Sequence, residues 1–233
     1  MADDLKTVQE IYDQLWSEGR TALERGQPDI DPFLSDRKND SRRGITLTFS
    51  PSPLVRSNVE EFLRQAAEAA PEQHFYQSNE LHTTILAVVP GSAAWQSHLP
   101  ELPVLRAVIL EVLRKQSTFS VTFRGVTVSP SAVMIQGFPT DNTLMQLRDN
   151  LRAAFKQKHV APNVDQRYKI AAAHITAMRF STPRTDWSRL LAVLAANRTT
   201  NFGEMRVQTA ELHLSDWYAS ADTLQILDEY PLR

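Results

Sequence analysis

Cysteine is missing from all 233 residues. That excludes disulfides, thiolate nucleophiles and cysteine-ligated zinc, and it fits a chain working in a reducing compartment. Long apolar runs are missing too: the longest, such as Ile85 to Pro90 and Leu190 to Ala196, fall far short of the roughly 20 residues a membrane helix needs. With no signal-like apolar segment, a cytoplasmic location and no membrane partner are expected. Charge of one sign is scarce, since 25 Lys and Arg against 27 Asp and Glu leave a formal net charge of −2. A protein that coats nucleic acid neutralises many phosphates at once, so that class is disfavoured, although a local basic pocket is not. The sequence also lacks a Walker loop, a Rossmann glycine fingerprint and a nucleophile elbow. What remains, 42% hydrophobic and 22% charged, is a globular composition able to bury a core.

Hydrophobic periodicity divides the chain. Asp3 to Arg25 reads as an amphipathic helix, and the polar stretch to residue 43, with basic pairs Arg37-Lys38 and Arg42-Arg43, reads as a linker. The expected organisation is residues 1–43 as helix and linker and 44–233 as the main domain. Within it a strand is expected over Gly44 to Phe49. Ser57 to Glu60 reads as a capping box for a helix reaching about Ala70, and a strand follows from Leu81. A helix over Val104 to Gln116 precedes a hairpin of Phe119 to Val128 and Ala132 to Phe138, joined by Ser129-Pro130-Ser131. The pattern then repeats: a helix over Asp141 to Lys158, a strand over Tyr168 to Phe180, a helix over Asp186 to Asn197, and strands over Met205 to Leu214 and Thr223 to Leu232. Helix, strand, helix, strand pair therefore occurs twice, which predicts two similar α+β lobes.

The strand of each repeat carries the same chemistry. LHTTIL holds His82 and Thr84, and AHITAM holds His174 and Thr176. Side chains two apart on a strand share a face, so each strand offers one imidazole beside one hydroxyl. A lone His-x-Thr is more often a hydrogen-bonded structural histidine; two copies at equivalent places in a repeat point instead to a shared site. Metal binding is the lesser alternative, because His-x-His or His-x3-His spacing and supporting acids are missing. Two imidazoles across a cleft suit displacement at a phosphodiester, one taking a proton from the attacking oxygen and the other giving one to the leaving oxygen. With an ordinary pKa near about 6.5 both protonation states are available around neutrality. Two short hydroxyls can donate to the nonbridging phosphate oxygens.

On these residues the chain resembles the two-histidine phosphoesterases, which include bacterial 2′-5′ RNA ligases, plant cyclic phosphodiesterases and related 2′,5′-phosphodiesterases. Their signature is a duplicated His-x-Ser/Thr-x, matched by His82-Thr83-Thr84-Ile85 and His174-Ile175-Thr176-Ala177. FSVTFRGVTVSPSAVMIQGF resembles the family's strand, glycine turn and strand between the motifs, SDWYASADTLQILDEYPL resembles its closing segment, and the likeness spans Gly44 to Arg233. It departs from the family in Ala177, smaller than usual, in a glycine turn reduced to Gly125, and in the added helix before Gly26. The resemblance implies a bilobal, pseudo-twofold α+β fold with antiparallel-sheet lobes, flanking helices and both histidines in a central groove. It implies a phosphodiesterase acting without metal or cofactor on a 2′,3′-cyclic phosphate or 2′,5′-linked oligonucleotide, with reversible 2′-5′ ligation as a variant. The alternative is a binding module that holds an RNA end or nucleotide without turnover.

Other residues divide by parity and position. Tyr76 and Tyr168 each lie six places before a motif histidine and are candidates to stack on a base. Arg167, Lys169 and Arg179 fall on the face opposite His174 and are expected to be solvated. Arg124 and Arg42-Arg43 are better placed to reach an anion. His74, His98 and His159 read as loop or helix-end histidines, His213 as an outward residue between Leu212 and Leu214, and Trp217 and Tyr218 as core seals or groove walls.

Overall fold

A computed structural model describes residues 7–165 and 169–233. In these, five α-helices and nine strands follow in chain order. The helices are α1 (Val8–Glu24), α2 (Pro53–Ala69), α3 (Leu102–Leu113), α4 (Thr143–Lys158) and α5 (Ser188–Ala196). The strands are β1 (Arg43–Phe49), β2 (His74–Phe75), β3 (Thr83–Ser92), β4 (Phe119–Val128), β5 (Ala132–Pro139), β6 (Ile175–Arg179), β7 (Asn201–Val207), β8 (Thr209–Asp216) and β9 (Gln225–Pro231).

The strands form one antiparallel sheet in the order β7-β4-β5-β6-β3-β1-β8-β9, with β2 alongside β6. The order reads as two mirrored halves. In each, a strand following a motif histidine is innermost, and the halves meet where β3 and β6 pair at Thr83 and Ile175. Helices α3 and α4 cover the half built on β3, while α1, α2 and α5 cover the half built on β6. This is the α+β, two-lobed architecture expected from the repeat. Only Gln208 separates β7 from β8, yet they lie near opposite ends of the strand order, so the sheet must curl until its ends approach.

Local chemistry accounts for the elements. Thr7 caps α1 reciprocally with Glu10, and Tyr12 and Leu23 are buried under it. Ser52 accepts from the Val55 N–H and Pro53 opens α2, a turn earlier than the Ser57 to Glu60 box suggests. That box lies inside the helix, whose Val55, Val59, Phe62 and Ala66 form the apolar stripe facing the core. Strands β4 and β5 fall where alternation placed them, and β1 starts one residue before the strand expected from Gly44. The long strand expected over Met205 to Leu214 is instead two strands serving different lobes.

Candidate active site

The concave side of the sheet encloses a groove of about 610 Å³, and His82, Thr84, His174 and Thr176 all line it. Burial alternates through each motif. Leu81, Thr83 and Ile85 are buried while His82 and Thr84 are half-buried; Ala173, Ile175 and Ala177 are buried while His174 and Thr176 are half-buried. His82 and His174 each sit immediately ahead of a residue of the Thr83–Ile175 pair, at the seam where β3 meets β6. Thr84 and His174 also border a common recess at the groove's edge. Both imidazoles and both hydroxyls therefore open onto one groove.

The His82 ring is oriented by its own turn, Nδ1–H donating to the Glu80 carbonyl at 2.8 Å, which leaves the lone pair on Nε2. Burial lowers its pKa; the Glu80 carbonyl and the Glu211 charge oppose that, while His213 and Arg179 add to it. Burial, with the charges of Arg148, His82 and Arg179, pushes His174 down to about 4. The backbone ahead of His174 is crowded: a Cβ on Gly137 would sit 1.7 Å from the Ala173 carbonyl oxygen, so glycine alone permits the approach of β5. Tyr12 fixes this point from α1, its hydroxyl accepting from Gly137 N–H and donating to Gly137 O, both at 3.0 Å.

Three cationic or titratable residues that parity had set aside lie in this groove. Arg179 lines it, donating through Nε to the Tyr76 hydroxyl at 2.8 Å. The parity argument fails because β6 carries a bulge between Thr176 and Met178, which returns Arg179 to the face of His174. Lys169 lines the groove as well, because residues 169–174 are not strand and alternation does not apply to them. His213 does point away from Leu212, as expected, but that face of a curled sheet is the groove and not solvent. It is 5% exposed. Its Nε2–H donates to Glu211 at 3.0 Å and the Thr48 hydroxyl donates to Nδ1 at 3.4 Å.

Tyr76 borders the groove but is 4% exposed, so its ring backs Arg179 and has no open face for stacking on a base. Tyr168 and Arg167 lie outside the described residues. Trp217 and Tyr218 line the groove. Arg42 is engaged elsewhere, paired with Asp31 and Asp40 and stacked over Phe33 and Trp217. Arg124 lies over Phe138, away from the groove lining. His74 sits between Arg37 and Tyr76 and is pushed down to about 4 by burial and by Arg37 and Arg179. Among the described residues no helix is long and apolar enough to cross a membrane.

Neither a protein-family model nor a curated protein matches the sequence. Solved structures do match the fold. TT0787 of Thermus thermophilus superposes with a TM-score of 0.63 at 18% identity, over 82% of this chain and 98% of that one. A phosphoesterase crystal structure matches with a TM-score of 0.58 at 15% identity, over 82% and 98%. E. coli LigT complexed with 3′-AMP matches with a TM-score of 0.56 at 15% identity, again over 82% and 98%. The chain thus has a LigT-like fold, in agreement with the two-histidine phosphoesterase resemblance carried by its motifs.

Proposed function

We propose that the chain is a two-histidine phosphodiesterase, and that its substrate is a 2′,3′-cyclic phosphate or a 2′,5′-linked oligonucleotide. The observation that carries this reading is that His82, Thr84, His174 and Thr176, one His-x-Thr from each repeat, line a single groove. The LigT-like fold supports it, as LigT itself is known with 3′-AMP bound.

For a cyclic phosphate, His174 takes a proton from water as the water oxygen bonds to phosphorus. The bond from phosphorus to one ribose oxygen breaks, and His82 protonates that oxygen. The neighbourhoods favour this division of labour. His82 has an acceptor fixed on Nδ1–H and the Glu211 charge within reach, both of which stabilise a protonated ring; the fixed charges acting on His174, Arg148 and Arg179, are cationic. Thr84 and Thr176 donate to the nonbridging oxygens, and Arg179 supplies positive charge on the same face. A ribose hydroxyl in place of water gives linkage cleavage and, in reverse, ligation. No step calls for a metal ion.

The test is incubation in EDTA with a panel of 2′,3′-cyclic nucleotides and 2′,5′ and 3′,5′ dinucleotides, with His82→Ala and His174→Ala as controls. Turnover of a cyclic or 2′,5′ substrate that both variants abolish is expected. Tight nucleotide binding with no product from any substrate would replace the enzyme with a binding module.

A further inference from the structure

The two lobes share one strand-to-strand pair, Thr83 with Ile175, and diverge on either side of it. Divergence opens the groove, but it also leaves backbone carbonyls at the seam in need of donors. Arg148, on the inner face of α4 and fully buried, supplies them. Its Nε donates to the Ile85 carbonyl at 2.9 Å, and its Nη2 donates to Thr84 at 3.0 Å and to Ala172 at 2.9 Å. Thr84 and Ile85 belong to β3; Ala172 stands two residues ahead of His174. One planar group thus spans both half-sites.

Among the described residues no carboxylate neutralises that group directly. The acids whose charge reaches it, Asp149 and Asp165, are both ion-paired with Arg152. Leaving a cation buried without a carboxylate is costly, and Leu147 and Leu151 beside it show that an apolar side chain would suit this helix face. The fork of donors is what an apolar residue lacks.

We propose that Arg148 is a positioning residue for both half-sites, tying the His82–Thr84 strand to the segment that delivers His174. This deepens the phosphodiesterase reading and rests on it for its kinetic part. A second effect follows from the charge. Burial brings Arg148 down only to about 10, so it stays cationic at neutral pH and disfavours a proton on His174. The other charged groups facing His174 are His82 from the head of β3 and Arg179 from β6, with Asp165 and Lys169 bordering the same groove.

Arg148→Met and Arg148→Lys in the full chain separate the two effects. The first readout needs no substrate: the titration of the His174 ring by NMR. Arg148→Met is expected to raise its midpoint by on the order of one pH unit, whereas Arg148→Lys keeps the charge and leaves it near the wild-type value. The second is steady-state kinetics on a 2′,3′-cyclic nucleotide. Both variants are expected to lower kcat, Arg148→Met by on the order of 10², with KM changing little, because reacting groups lose their alignment. A folded Arg148→Met with wild-type kcat and an unmoved His174 midpoint overturns the proposal. If Arg148→Met does not fold, Arg148→Lys decides, since one ammonium cannot reproduce the guanidinium fork; wild-type kcat in that variant overturns it. If the wild type turns over no substrate, the functional reading fails, and the titration alone decides the role of Arg148.

Discussion

The two sides of the groove carry the same His-x-Thr pair in different surroundings. Two groups of β8 act on His82: Glu211, whose charge favours a proton there, and His213, which is hydrogen-bonded to Glu211. The charged groups acting on His174 are Arg148, His82 and Arg179. A carboxylate charge reaches the first imidazole, whereas the second is held neutral by burial and by cations. A duplicated motif therefore does not imply duplicated chemistry, because the neighbours set which imidazole carries the proton.

The comparison breaks most sharply at the histidines. His82→Ala and His174→Ala are each expected to lower turnover of a 2′,3′-cyclic nucleotide by about 10² to 10⁴. Steady-state assay checks this, and wild-type turnover in either variant would dissolve the pairing. Thr84→Ala and Thr176→Ala come next, each costing about 10¹ to 10³ in kcat if the hydroxyls hold the transition-state phosphate. No loss in either would reduce them to strand residues.

The pH profile sharpens the contrast further. In kcat/KM the free enzyme should show a bell, rising through about 4 as His174 loses its proton. It should fall below the ordinary imidazole value as His82 loses its own. Glu211→Gln removes a charge that favours protonated His82, so only the falling limb should move, toward lower pH. Movement of both limbs would mean the two sides are not independent.

The smallest effect is on stability. His74 and His174 bind protons less readily folded than unfolded, both being held near 4. Between that value and about 6.5 the unfolded chain binds more protons, so their contribution is full above about 6.5 and is lost as pH falls toward 4. Urea midpoints should drop across that window, and His74→Gln should flatten the drop.

Much of this was legible in the sequence. Period-two alternation placed β4 and β5 closely, and the repeated His-x-Thr spacing named four residues that the groove gathers. What escaped depended on geometry that letters do not encode. Alternation assumes a regular strand, so the bulge in β6 hid Arg179. It also labels faces without saying what covers them, which hid His213. The β7–β8 junction at Gln208 reads as continuous strand because residues on both sides favour extended backbone, and only the pairing shows a change of lobe. Arg148 carries no signal in the sequence, because its carbonyl partners lie 63, 64 and 24 residues away.

The path of the chain back and forth across the seam bears on how it acquires its shape. β1 and β3 are completed by β8 and β9, while β4, β5, β6 and β7 come between them in the sequence. That middle set in turn lies under α1 and α2, which precede it in the sequence. Each half draws on distant stretches of polypeptide, so neither is an independent folding unit. The rate of folding is governed by closures between remote parts of the chain, and a nascent polypeptide must wait for β8, made after all of β2 to β7, before β1 gains its second neighbour.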